Sequence, residues 1–168
     1  MPLSMYQASV PVFVQMLSSL SDLLKKAAAH AETKKIDPMV LTGARLYPDM
    51  FPLKRQVQVA TDHAKGACAR LAGKDVPSFP DTETTFDELQ ARIQKMLDYV
   101  KSFNPADIDG SEEKEIVLTR AGQKIPFKGQ AYLLHFALPN HFFHVTTAYG
   151  ILRAQGLEIG KGDFIGSF

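Results

Sequence analysis

The chain has 168 residues, 45% hydrophobic and 22% charged, enough for one domain with a substantial core and too few for two comfortable ones. Nineteen basic against eighteen acidic side chains leave a net charge of +1. That balance argues against a nucleic-acid-binding protein, whose affinity comes from a concentrated basic face; Lys25-Lys26, Lys34-Lys35 and Lys54-Arg55 are short and dispersed.

The N-terminus, MPLSMYQASVPVFVQMLSSL, has no basic run before its apolar residues and is interrupted by polar ones throughout. It reads as neither a signal peptide nor a membrane span, so a cytoplasmic protein is expected. Apolar residues then recur at alternating spacings of three and four, the signature of one buried helix face. The first such stripe runs Val10, Phe13, Leu17, Leu20, Leu24, Ala27, with Pro11 marking a start or a bend. Asp37-Pro38 is an N-cap followed by a first-turn proline and opens a short helix in PMVLTGA. Residues 43–51 form an irregular crossing.

A second stripe, Leu53, Val57, Ala60, Ala64, Ala67, Leu71, starts behind Pro52 and is closed by Gly73. The single cysteine, Cys68, excludes an internal disulfide and falls on this buried face, where a small core residue is the expected role. A proline-rich loop covers residues 74–84. Thr85 and Glu88 then form a capping-box pattern ahead of a third stripe, Phe86, Leu89, Ile93, Met96, Val100, Phe103. Two β-favouring runs around RAGQK predict a small hairpin, Ile116–Thr119 with Lys124–Phe127. The last stripe is Leu138, Phe142, Val145, Tyr149, Leu152, closed by Gly156, and the glycine-rich tail is expected to lie extended along the bundle. Four amphipathic helices bury their stripes only against each other, which predicts an all-α four-helix bundle, one domain across residues 1–168.

Three of the five histidines crowd into LLHFALPNHFFHVTTAYGILRAQG: His135, His141 and His144. On an ideal helix each residue advances about 100°, so His141 and His144 share a face and suit one metal ion, while His135 falls on the opposite side. A one-residue bulge at Pro139 would bring His135 round to the face of His144. His63, on the second long helix, is a fourth candidate ligand, and Asp62, Asp49 or Glu88 could add a carboxylate. His30, near the end of the first helix, suits a structural role against the helix dipole. The competing reading is a packed helix whose imidazoles each bond to a carbonyl or an acid and hold nothing.

That last stretch, with its Leu152, Arg153 and Gly156 ending, resembles the closing helix of the DinB/YfiT-like bundles. SMYQASVPVF, DMFPLKRQVQ and LLHFALPNHFFHVTTAY also resemble an uncharacterised bacterial domain-of-unknown-function family within that superfamily, over nearly the whole chain. The resemblance implies an up-down-down-up four-helix bundle with a hairpin before the last helix. It further implies a divalent metal held by one histidine of the second helix and two of an H-x-x-x-H on the fourth, used by some members to activate a low-molecular-weight thiol. His144 matches the second histidine of that motif, the first falls at Asn140, and His63 stands near the second-helix ligand.

Two functions follow as expectations. In one, the ancestral metal site is degraded and the bundle is a small-molecule-binding or dimerisation module, its pocket lined by Asn140, Phe142 and Tyr149. In the other, zinc or nickel on His144, with His141 or His135 and His63, serves an enzyme of thiol-transfer or isomerisation type. A homodimer is expected under both, because Phe142 and Phe143 diverge on a helix and cannot both face one core.

Overall fold

A computed structural model describes residues 3–167. The elements run α1 (Val10–Lys34), α2 (Pro38–Gly43), α3 (Leu53–Leu71), α4 (Phe86–Lys101), α5 (Pro105–Ile108), β1 (Glu115–Arg120), β2 (Gln123–Lys128), α6 (Gly129–Tyr132), a π-helical turn (Leu133–Ala137), α7 (Leu138–Ala154) and α8 (Lys161–Ile165). The four long helices pack in a ring: α1 against α4 and α7, and α3 against α4 and α7. The first three apolar stripes are buried throughout, and burying such faces supplies the main force that holds the helices together. Among the described residues no helix is long and apolar enough to cross a membrane.

Local signals behave as the chain chemistry requires. The Asp37 carboxylate accepts from Met39 N–H at 2.9 Å. Thr85 and Glu88 complete a reciprocal capping box at the head of α4, and the Glu88 carboxyl, bonded to the Thr84 and Thr85 backbone N–H groups, is held down to about 2. Gly73 and Gly156 follow α3 and α7 with φ of +70° and +89°, the left-handed conformation that glycine adopts without steric cost. The hairpin pairs Ile116 with Phe127 and Thr119 with Lys124, in the predicted register. Its exit is pinned by Gly129, where an added Cβ would stand 1.9 Å from the Ser111 carbonyl oxygen.

One buried cation ties α4 to α3 and to the loop of residues 74–84. Arg92 donates from Nε to Thr61 Oγ1 at 2.8 Å, and its guanidinium pairs with Asp62 (3.1 Å), Asp81 (3.0 Å) and Glu83 (3.1 Å). Surrounding one charge with three carboxylates is what makes its burial tolerable.

Two expectations change at the C-terminal end. The tail is not simply extended. Residues 161–165 coil into α8, which packs on α1 through hydrogen bonds from Ser19 to the Asp163 and Phe164 carbonyls and from Gln15 to Ile165. In α7 the buried face is His141, Val145, Ala148, Ile151 and Leu152, while Leu138, Phe142 and Tyr149 are only half-buried. The face is rotated relative to the predicted stripe because a histidine occupies a core position that apolar spacing does not count.

Candidate functional site

The α3–α7 interface is lined on the α3 side by small residues. Ala60, Ala64 and Ala67 are fully buried, and their short side chains let α7 approach closely enough for a ring to reach the opposite backbone. His141 does so: its Nδ1 lies 2.9 Å from the Ala60 carbonyl oxygen. A carbonyl only accepts, so the Nδ1 carries the proton and the Nε2 presents a bare lone pair. That Nε2 is enclosed and has no partner. The ring meets Phe13 of α1 edge-on at 5.0 Å, and burial pushes its pKa down to about 4, so His141 is neutral at physiological pH.

One turn along, His144 Nδ1 lies 2.7 Å from Gln56 Oε1. The orientation of that amide is fixed from its other end, where Gln56 Nε2 donates to the Phe51 carbonyl at 3.1 Å. His144 therefore also carries its proton on Nδ1 and turns an acceptor Nε2 outward. Burial lowers its pKa, with the Arg55 guanidinium adding to the shift. Phe51 and Phe143 flank the ring at 6.5 and 5.2 Å.

His63 completes the group from α3. Its ring lies nearly parallel to that of His144, 14° between planes and 5.7 Å between centroids, and it meets Phe136 of the π-helical turn at 5.9 Å. Burial first, then His144, bring its pKa to about 4. Two neutral imidazoles from α3 and α7 thus face each other, with a third beside them in the core.

Where a bulge is expected at Pro139, the helix instead carries a π-helical turn just before it, over Leu133–Ala137. The Leu138 N–H bonds back to the Leu133 carbonyl, five residues earlier, and the Asn140 side chain donates to the Phe136 carbonyl at 2.7 Å. A proline has no N–H to offer this region, and the asparagine amide supplies a donor instead. The bulge does not recruit His135, which is exposed; what it turns inward is Phe136.

The remaining candidates are placed as follows. Asn140 caps the turn. Phe142 is half-buried against His141 at 6.2 Å. Tyr149 reaches the far end of α7, its hydroxyl 3.4 Å from the Ile159 carbonyl and its ring 6.0 Å from Phe164. None of these three is among the residues that line the cleft beside His63. Asp62 is engaged by Arg92 and by Lys65 at 2.7 Å, Glu88 caps α4, and Asp49 is exposed in the crossing. Cys68 is buried, its thiol pushed up to about 12 by burial, as a core residue and not a nucleophile.

The cleft of this face has a volume of about 560 Å³ and lies between α3, the hairpin and the π-helical turn. Asp62, His63 and Arg70 form one side, Val117, Leu118, Thr119, Arg120 and Ile125 the other, with Phe136 between them. Gln56 and Arg70 are polar and leave no mark in the apolar spacing; the only signal for Arg70 in the sequence is Gly66, a glycine inside a helix one turn before it.

The donor set was tested against a divalent metal. Both α7 histidines have the tautomer a ligand needs, Nδ1–H fixed by an acceptor and Nε2 free, and all three rings are neutral. Convergence fails: among the described residues no group of three or more His, Cys, Asp or Glu is arranged to hold a metal ion.

Comparison with known proteins places this geometry. Residues 5–165 match the family described as "Domain of unknown function (DUF1993)". The chain is also similar to the crystal structure of a DinB family member protein from Shewanella denitrificans, with 41% sequence identity, a TM-score of 0.87, and coverage of 97% of this chain and 92% of that one. No curated protein matches.

Proposed function

The chain belongs to the DUF1993 family, and from that premise we propose that it is a small-molecule-binding protein built on an up-down-down-up four-helix bundle, its site the cleft beside His63. The observation that carries the reading is the 560 Å³ cleft itself: a concave space in which apolar Val117, Leu118, Ile125 and Phe136 meet polar Asp62, His63, Arg70, Thr119 and Arg120, a mixture that suits a small molecule with both kinds of group. His63 and Phe136 line it from the helical side, and the hairpin makes the opposite wall.

Protein-observed NMR with a fragment library tests it. Shifts should concentrate at residues 62–70, 117–120 and Phe136. Shifts confined to other surfaces, or none across the library, would overturn it.

The orphaned Nε2 of His141 favours a second reading, in which His141, His144 and His63 hold zinc or nickel in an enzyme of thiol-transfer or isomerisation type. Elemental analysis of protein purified without chelators separates the two. Near-stoichiometric metal that is lost in His144→Ala favours the enzyme; none bound, and none taken up from added salts, leaves the binding module.

The proposal extends to a homodimer. Tyr47, Phe51 and Phe143 are 66%, 49% and 56% exposed, and Phe51 and Phe143 both flank His144. Apolar surface gathered in this way is suited to a partner. Sedimentation velocity at micromolar concentration should show a dimer that Phe143→Asp dissociates; a wild-type monomer removes the dimer from the proposal.

A further inference from the structure

Arg70, half-buried on α3, differs from the buried cations Arg92 and Lys65. Arg92 has three carboxylates around it and Lys65 has Asp62, but among the described residues Arg70 is paired with no acid. Its one side-chain partner is the Tyr132 hydroxyl, which accepts from Nη1 at 3.0 Å, and its guanidinium lies 5.9 Å from the centroid of that same ring. A guanidinium has five N–H donors in a rigid fork, so most of the fork is left for another acceptor. The position of the head group is itself built. A Cβ on Gly66 would stand 2.4 Å from Arg70 Nη1, so the absence of a side chain at Gly66 lets the guanidinium lie back over its own helix. Glycine inside a helix is less favourable than alanine, and here the vacated space is filled by the charge.

The place where this charge rests is the wall of the cleft, beside His63. Arg120 stands on the opposite wall, exposed and without an ion pair among the described residues. The one acid lining the space, Asp62, is already engaged by Arg92 and Lys65. The cleft therefore holds two uncompensated guanidinium groups over an apolar surface of Leu118, Ile125 and Phe136.

We infer that the cleft takes a small organic acid with an apolar or aromatic body, its carboxylate gripped by the Arg70 fork and its body laid against Phe136, Leu118 and Ile125. The inference rests on the reading of the cleft as a binding site and adds the chemical class of its ligand. A planar carboxylate fits the two parallel N–H groups of an arginine fork, which gives direction as well as strength. The Tyr132 hydroxyl and the open space over Gly66 fix the fork before the ligand arrives, so less entropy is lost on binding.

The test is an NMR titration of the full chain with phenylbutyrate, phenylbutyramide and phenyl phosphate, in wild type, Arg70→Met and Gly66→Ala. Phenylbutyrate should shift His63 and Phe136 and bind at least about tenfold more tightly than the amide, the scale of one hydrogen bond to a charged group. Arg70→Met should bring the acid down to the affinity of the amide. Gly66→Ala should raise the melting temperature, as alanine favours the helix, and yet weaken the acid by about tenfold; a purely structural Arg70 would not couple those two changes. Should Arg70→Met fail to fold, Gly66→Ala carries the comparison alone. Acid and amide binding alike at His63 would overturn the arginine clamp and leave the cleft standing. Phenyl phosphate binding about tenfold more tightly than the acid would overturn the carboxylate assignment in favour of a phosphate. No shift at His63 with any of the three at millimolar concentration would overturn the clamp and the cleft together.

Discussion

The α1–α4 side of the molecule and the α3–α7 side bury their helices with different side chains. On α1 and α4 the buried faces carry large aliphatic residues, Leu17, Leu20, Leu24, Leu89, Ile93 and Val100, all fully buried. On α3 and α7 they carry Ala60, Ala64 and Ala67 on one helix, and Val145, Ala148 and His141 on the other. Large aliphatic chains fill the space between two helices and leave nothing over. Small ones draw the backbones together, so that an imidazole reaches a main-chain carbonyl and a neighbouring glycine admits a guanidinium. The lesson is that the imidazoles enter this core where the packing residues are small, whereas the polar link across α1 and α4, Ser21 with Gln90, stays only part-buried.

The comparison predicts unequal costs on the two sides. Leu20→Ala removes a buried side chain that nothing nearby replaces, and it should destabilise the fold by about 3 kcal/mol in denaturant unfolding. A loss below about 1 kcal/mol would show that the α1–α4 contact relaxes into the space, and the contrast between the sides would weaken.

Acid should sharpen the contrast, because the buried imidazoles lie on the α3–α7 side. His63 and His141 both have pKa values near 4 in the folded chain, against an ordinary 6.5. Between those values the unfolded chain takes up protons that the folded chain refuses. Their contribution to stability is thus complete above about pH 6.5 and is lost as pH falls towards 4, below which it changes no further. Fully buried His141 should give a slope of about 1.4 kcal/mol per pH unit across that window, with a smaller share from the partly exposed His63. Urea midpoints measured from pH 7 to pH 4 check this. A flat profile would mean that both rings take up protons in the fold as readily as in the unfolded chain.

Much of the aliphatic side was legible in the sequence, and the polar side far less so. The stripes of α1, α3 and α4 fall on buried residues because leucine, valine and alanine have no competing use for those positions. The hairpin register follows from the turn residues between its strands. Gly73 and Gly156 mark helix ends because few other residues adopt their φ. In α7 the same arithmetic selects Val145 and Leu152, which are buried, together with Leu138, Phe142 and Tyr149, which are half-buried, and it passes over His141, which is enclosed. An imidazole that donates to a carbonyl behaves as a core residue, but its type counts as polar. The π-helical turn adds a residue to the helical repeat, so distances counted from His135 to His144 on a regular helix are out of phase. Gln56 reads as one more polar residue beside a stripe, and its role appears only when α7 brings His144 against it. Gly66 and Arg70 are one helical turn apart, which gives neighbours, but nothing in a single chain says that the charge beside that glycine lacks a counter-ion.

The smallest expected effect is the most discriminating. His141→Leu replaces one buried side chain by another of similar size, on the side of the molecule where polar groups are tolerated. It removes the hydrogen bond to Ala60, whose carbonyl keeps its acceptor role within α3, and it also removes the enclosed Nε2 that has no partner. Losing a bond and losing an unsatisfied group act in opposite directions, so the net change at pH 7 should stay within about 1 kcal/mol. At the same time the acid slope should become shallower by one proton, since leucine has no protonated state to be disfavoured. Those two results together would establish His141 as a core residue that happens to titrate. A loss as large as that of Leu20→Ala would mean that its Nε2 is engaged in solution, and the first group to look for would be a metal ion shared with His144 and His63.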